Sequence, residues 1–88
     1  MESKRIELFG IVQGVGMRFF VNHLANKKGL HGFVKNTNKG TVLIEVTGPK
    51  ATIKSFIKHI ERLSPGSINT INVETIDNIY HDGFDINH

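Results

Sequence analysis

Two stretches of helical periodicity interrupt a chain that otherwise alternates apolar and polar residues, and their order leaves few folds open. Arg5 to Val12 places Ile6, Leu8 and Val12 on one face and Glu7 on the other, as a half-buried strand does. Met17, Phe20, Val21, Leu24 and Lys28 then recur at helical spacing, and Lys27-Lys28-Gly29 supplies cations for the last turn and a glycine for its cap. Gly32 to Asn36 predicts a strand, Thr37-Asn38-Lys39-Gly40 a turn, and Thr41 to Val46 a returning strand with Val42, Ile44 and Val46 on one face. Pro49 is well placed to open a second helix, whose stripe of Ile53, Phe56, Ile57, Ile60 and Leu63 stops at Ser64-Pro65-Gly66. Alternation returns from Asn69 to Asp77, with Ile71 and Val73 set against Asn72 and Glu74. Phe84 and Ile86 predict a short closing strand after an Asp82-Gly83 turn. The order β-α-β-β-α-β plus a C-terminal strand predicts an α+β, ferredoxin-like sandwich, with two helices on one face of an antiparallel sheet.

Size and composition support one such unit. The 88 residues form a single expected domain, 1–88, just large enough for one core to suffice without staples. With no cysteine, neither disulfides nor thiolate metal sites are available, and folding rests on apolar burial, for which 39% hydrophobic residues is ordinary. No run approaches the roughly 18 apolar residues of a membrane span, and Met1-Glu2-Ser3-Lys4-Arg5 leads into a strand without a signal-peptide core. A soluble, cytoplasmic monomer with no membrane partner is expected. The formal charge of +3 suits small anions as readily as nucleic acid.

The handover from first strand to first helix carries the chemistry. Gly14-Val15-Gly16-Met17-Arg18 puts a glycine-rich turn and an arginine at the helix start. A cation there is opposed by the positive end of the helix dipole, by roughly 0.3–1 kcal/mol. The free N–H groups of the same turn also seek a negative partner, so a bound phosphate or carboxylate would satisfy both. An exposed arginine beside a tight turn is the plainer alternative.

Other chemistry-bearing residues do not assemble into sites. His23, His31, His59, His81 and His88 show no metal-ligand spacing such as H-E-x-x-H, and surface or partly packed imidazoles are expected. Lys50, Lys54, Lys58 and Arg62 form a basic row at spacing four along the second helix, which reads as a solvated face before it reads as a track for a phosphate backbone. Asp77, Asp82 and Asp85 fall at a strand end, a turn and an edge. Ser3, Ser55, Ser64 and Ser67 lack a nucleophile-elbow context. Gly14-x-Gly16 completes neither a Walker loop nor a dinucleotide fingerprint, so no nucleotide cofactor is indicated, and with no metal-ligand spacing in the chain neither a cofactor nor a metal is expected.

Together, Gly10-x-Val12-Gln13-Gly14-Val15-x-x-Arg18 and Gly32-Phe33-Val34-Lys35-Asn36-x-x-x-Gly40-x-Val42-x-x-x-x-x-Gly48 resemble the acylphosphatase family over the whole chain, in motif order and separation. The resemblance implies a small metal-free enzyme that hydrolyses the carboxyl–phosphate bond of acylphosphates and releases inorganic phosphate. It implies Arg18 as the phosphate-binding arginine and Asn36 as the asparagine that positions the attacking water. The backbone N–H groups of Val15, Gly16, Met17, Arg18 and Phe19 would complete a phosphate cradle. Gly16-Met17 departs from the more usual aromatic just before the arginine; Gly16 keeps the turn permissive and Met17 can fill an irregular apolar gap.

The rival from another class is a ferredoxin-like RNA- or anion-binding module without catalysis. Such RNA-binding domains stack bases on aromatics of the two central strands. Here Phe9 stands on the first strand and Phe33 on the second, while the third strand presents only Leu43 and Glu45 outward, so nucleic acid is not the expected partner. A relative of the larger hydrogenase maturation protein that carries an acylphosphatase-like domain is a third reading, one that a cysteine-rich continuation would have favoured.

Overall fold

Alternation and periodicity become five strands in one sheet with both helices on one of its faces. In the computed structural model, which describes residues 1–88, the elements are β1 (Glu2–Ile11), α1 (Met17–Lys27), β2 (His31–Asn36), β3 (Val42–Gly48), α2 (Lys50–Leu63), β4 (Ser67–Ile76) and β5 (Phe84–Ile86). The sheet order is β4-β1-β3-β2-β5. This is the ferredoxin-like α+β plan expected from the element order.

The core lies between the sheet and the helices. Ile6 and Leu8 of β1, Val34 of β2 and Val42, Ile44 and Val46 of β3 face Met17, Val21 and Ala25 of α1 and Ile53, Phe56 and Ile60 of α2, and none is more than 1% exposed. Burying a side chain of this kind contributes about 1.5–3 kcal/mol. The end of α1 is closed by Gly29 as the Lys-Lys-Gly signal predicts. Leu30 N–H donates to the Ala25 carbonyl at 2.9 Å and Gly29 N–H to Asn26 at 3.1 Å, the paired bonds of a Schellman cap.

Two expectations are corrected. The sheet is mixed, because β5 runs parallel to β2 while every other pair is antiparallel. β4 ends beside Ser3 at one edge, and residues 77–83 cross that same end of the sheet, where Tyr80 N–H donates to Thr47 Oγ1 at 3.0 Å and Gly83 N–H to His31 Nδ1 at 2.9 Å. A strand that re-enters at the start of β2 can only run in its direction. Val73, which the alternation sets inward, is 44% exposed. It lies on the outermost strand, whereas α1 packs over β2 and β5 and α2 over β3.

Candidate active site

At the opposite end of the sheet from that crossing segment, Val12 after β1, Asn36 at the end of β2 and Ile86 of β5 meet the start of α1. With Gly14, Gly16, Met17, Arg18, Phe19 and His88 they line a cavity of about 240 Å³. The two residues singled out for chemistry, Arg18 and Asn36, therefore share one cavity, although 18 positions separate them in the sequence.

The loop wall is built to leave donors free. Gly14 and Gly16 adopt φ of +74° and +84°, a left-handed conformation that a side chain would strain. Gly16 is the N-cap of α1 and has no side chain with which to cap it, and the first turn holds no acidic residue. The first helical bond is Phe20 N–H to the Gly16 carbonyl at 3.0 Å. The N–H groups of Met17, Arg18 and Phe19 precede it and have no acceptor in the fold. Met17 is buried and anchors the turn in the core, while Val15 turns its side chain onto the core beside Gly66. Gly16 to Phe19 thus line the cavity, with Val15 contributing backbone to the loop behind them. Arg18 makes no ion pair; its polar side-chain contact is Nη1 to His88 Nδ1 at 3.4 Å.

Opposite stands Asn36 at the end of β2, backed by a hydrogen-bonded cluster at the turn of the β2–β3 hairpin. Gln13 Nε2 donates to the carbonyls of Thr37 and Thr41, both at 2.9 Å, tying the glycine loop to the hairpin. Thr41 Oγ1 donates to Glu7 Oε2 at 2.6 Å, and Thr37 Oγ1 in turn donates to Thr41 Oγ1 at 2.6 Å. The Thr41 hydrogen bond and then Lys39, 3.2 Å away, hold the Glu7 carboxyl below its ordinary pKa against the opposing effect of burial. Asn36 Oδ1, by contrast, is buried and has no hydrogen-bond partner. A buried acceptor left unpaired costs about 1–3 kcal/mol, so a group that supplies a proton to it inside the cavity is favoured.

Sequence reasoning missed two residues here. Gln13 is part of the quoted motif, yet nothing in its neighbours reveals that it bridges to Thr37 and Thr41. His88 has no signal at all, because only the parallel pairing of β5 with β2, extended by Asn87 N–H to the Val34 carbonyl at 2.9 Å, carries it to Arg18. The other histidines lie outside the cavity, the basic row of α2 lines no part of it, and no group of three or more His, Cys, Asp or Glu side chains converges anywhere in the chain. The open sheet face, where an RNA-binding module would stack bases, is partly covered: the Tyr80 ring meets Phe33 edge-on at 5.8 Å and its hydroxyl donates to Glu45. Burial, and then that bond, push the Tyr80 phenol up to about 12.

The molecule is a small ferredoxin-like α+β domain whose cavity at one sheet end presents free N–H groups and a guanidinium, donors that suit an anion. The family profile described as acylphosphatase matches residues 4–86. An acylphosphatase of Bacillus licheniformis is 42% identical over 96% of this chain and 92% of its own. The crystal structure of acylphosphatase from Bacillus subtilis superposes with a TM-score of 0.93 at 36% identity, covering 100% of both chains. Full-length HypF aligns with a TM-score of 0.89 at 34% identity, over 99% of this chain and 12% of that one. The chain belongs to the acylphosphatase family. No helix is long and apolar enough to cross a membrane.

Proposed function

We propose that the cavity between the glycine loop and Asn36 is the catalytic centre of this enzyme, which hydrolyses acylphosphates to a carboxylate and inorganic phosphate. One observation carries the assignment: the unpartnered, buried Oδ1 of Asn36 and the unpaired guanidinium of Arg18 line the same cavity. Arg18 would grip two phosphoryl oxygens with its planar fork, while the free N–H groups at the start of α1 bind the others. Asn36 Oδ1 accepts a hydrogen bond from a water and holds it in line with phosphorus. The water oxygen bonds to phosphorus, the bond from phosphorus to the acyl oxygen breaks, and its electron pair leaves on the carboxylate. The proton of the water passes to a phosphoryl oxygen. A carboxylate leaves readily, so positioning and charge stabilisation supply most of the catalysis and no strong general base is needed.

In this reading the enzyme works as a cytoplasmic monomer and needs no metal, because Arg18 and the free N–H groups supply the positive charge and the donors that the phosphoryl group requires. Purified protein is expected to hydrolyse benzoyl phosphate equally with and without a chelator, and inorganic phosphate is expected to compete with substrate. A requirement for added magnesium or zinc, or noncompetitive inhibition by phosphate, would reject this centre.

A further inference from the structure

The catalytic cavity has a floor and a rim. Asn36 Oδ1 and Met17 are buried, whereas Gly14, Gly16 and Phe19 are exposed, Phe19 to 73%. Single exposed apolar residues are ordinary. Of the large exposed apolar residues, which also include Met1, Ile11, Leu63, Val73 and Ile79, only Phe19 lines this cavity.

Displacement at phosphorus sets the attacking and leaving oxygens roughly in line on opposite sides. With the water held at Asn36 on the floor, the acyl group must point to the rim. Gly14 and Gly16 offer it no side chain, and the centre proposed above commits Arg18 to the phosphoryl group. Of the apolar side chains that remain in the lining, Val12 is buried and Ile86 half-buried, so Phe19 offers the acyl group the large exposed surface, and the imidazole of His88 lines the same cavity. A phenyl ring gains both apolar burial and offset or edge-on stacking when it meets a second ring.

We infer that Phe19 is a specificity-determining residue: its side chain contacts the acyl group and favours acylphosphates with aromatic or bulky apolar acyl groups over small ones. This rests on the catalytic centre proposed above. The test is the ratio of kcat/KM for benzoyl phosphate to that for acetyl phosphate, in the parent enzyme and in Phe19→Ala and Phe19→Tyr. Comparing ratios cancels the intrinsic difference between the two leaving groups. The ratio is expected to fall about tenfold in Phe19→Ala, the loss of roughly one ring's apolar contact, and to stay within twofold of the parent in Phe19→Tyr, which keeps the ring. An alanine variant whose ratio matches that of an active parent would overturn this inference alone. A parent that hydrolyses neither compound would overturn the catalytic centre, and this inference with it.

Discussion

The two walls of the cavity handle their polar groups in opposite ways. Along the glycine loop and the start of α1, the N–H groups of Met17, Arg18 and Phe19 and the guanidinium of Arg18 have no partner of opposite charge in the fold. Behind Asn36, Gln13 of the loop, Glu7 of β1 and Thr37, Lys39 and Thr41 of the hairpin satisfy one another, and the buried Asn36 Oδ1 is left unpaired. An open wall is ready to take up an anion without first breaking its own bonds. A satisfied wall is rigid, and rigidity is what a residue that aims a single water requires. The cavity therefore divides binding from aiming between two pieces of chain.

The largest expected effect tests the open wall. Arg18→Lys keeps the charge but loses the bidentate fork, and turnover of benzoyl phosphate is expected to fall on the order of 10³-fold, nearly as far as in Arg18→Ala. Circular dichroism should show both variants folded, since Arg18 makes no ion pair in the fold and the alanine change only removes a cation from a helix start where the dipole opposes it. Turnover near the parent value in a folded Arg18→Lys would show that the open wall binds by charge alone.

Asn36→Ala probes the aiming wall and is expected to cost less, about 10²-fold, mostly in kcat. Inhibition by inorganic phosphate should change little, because the open wall does the binding. Lys35→Ala is the control: it neighbours Asn36, but strand alternation turns it to the other face and it does not line the cavity, so its effect should be modest. Phosphate affinity that fell in step with kcat in Asn36→Ala would erase the distinction between the walls.

The smallest effect concerns the rigidity of the hairpin. Thr41 is only 5% exposed, and Thr41→Val removes its donation to Glu7, at a cost of about 1–3 kcal/mol for the hydrogen bond to a charged group. In the parent the Glu7 carboxyl titrates below its ordinary 4.5, so its contribution to stability is present above that pH and is lost as pH falls through the lowered value. The melting temperature of Thr41→Val should thus lie below that of the parent at pH 7, and the gap should narrow toward pH 3. A gap that stayed constant with pH would mean that the Thr41 to Glu7 bond does not stabilise the hairpin.

Local patterning made most of the fold legible. Helical spacing marked α1 and α2 within a residue or two, and the Lys27-Lys28-Gly29 signal located a cap whose bonds the structure shows. Caps and periodicities are short-range, so neighbours in sequence suffice to encode them. Val73 escaped because alternation reports which face a side chain takes, and not whether a helix covers that part of the face. The direction of β5 escaped because Phe84 to Ile86 carries no mark of its partner strand.

By itself the sequence determined the element order, the apolar faces, the family and the two residues placed at the centre of the chemistry, since each is written in spacing or in a contiguous motif. Only the tertiary structure decided that Arg18 and Asn36 face one cavity, that Gln13 ties its walls together, that Asn36 Oδ1 stands buried and unpaired, and that His88 and the Phe19 ring stand at its mouth. Those facts depend on which strand pairs with which and in what direction. Pairing is a long-range choice made by the whole core at once.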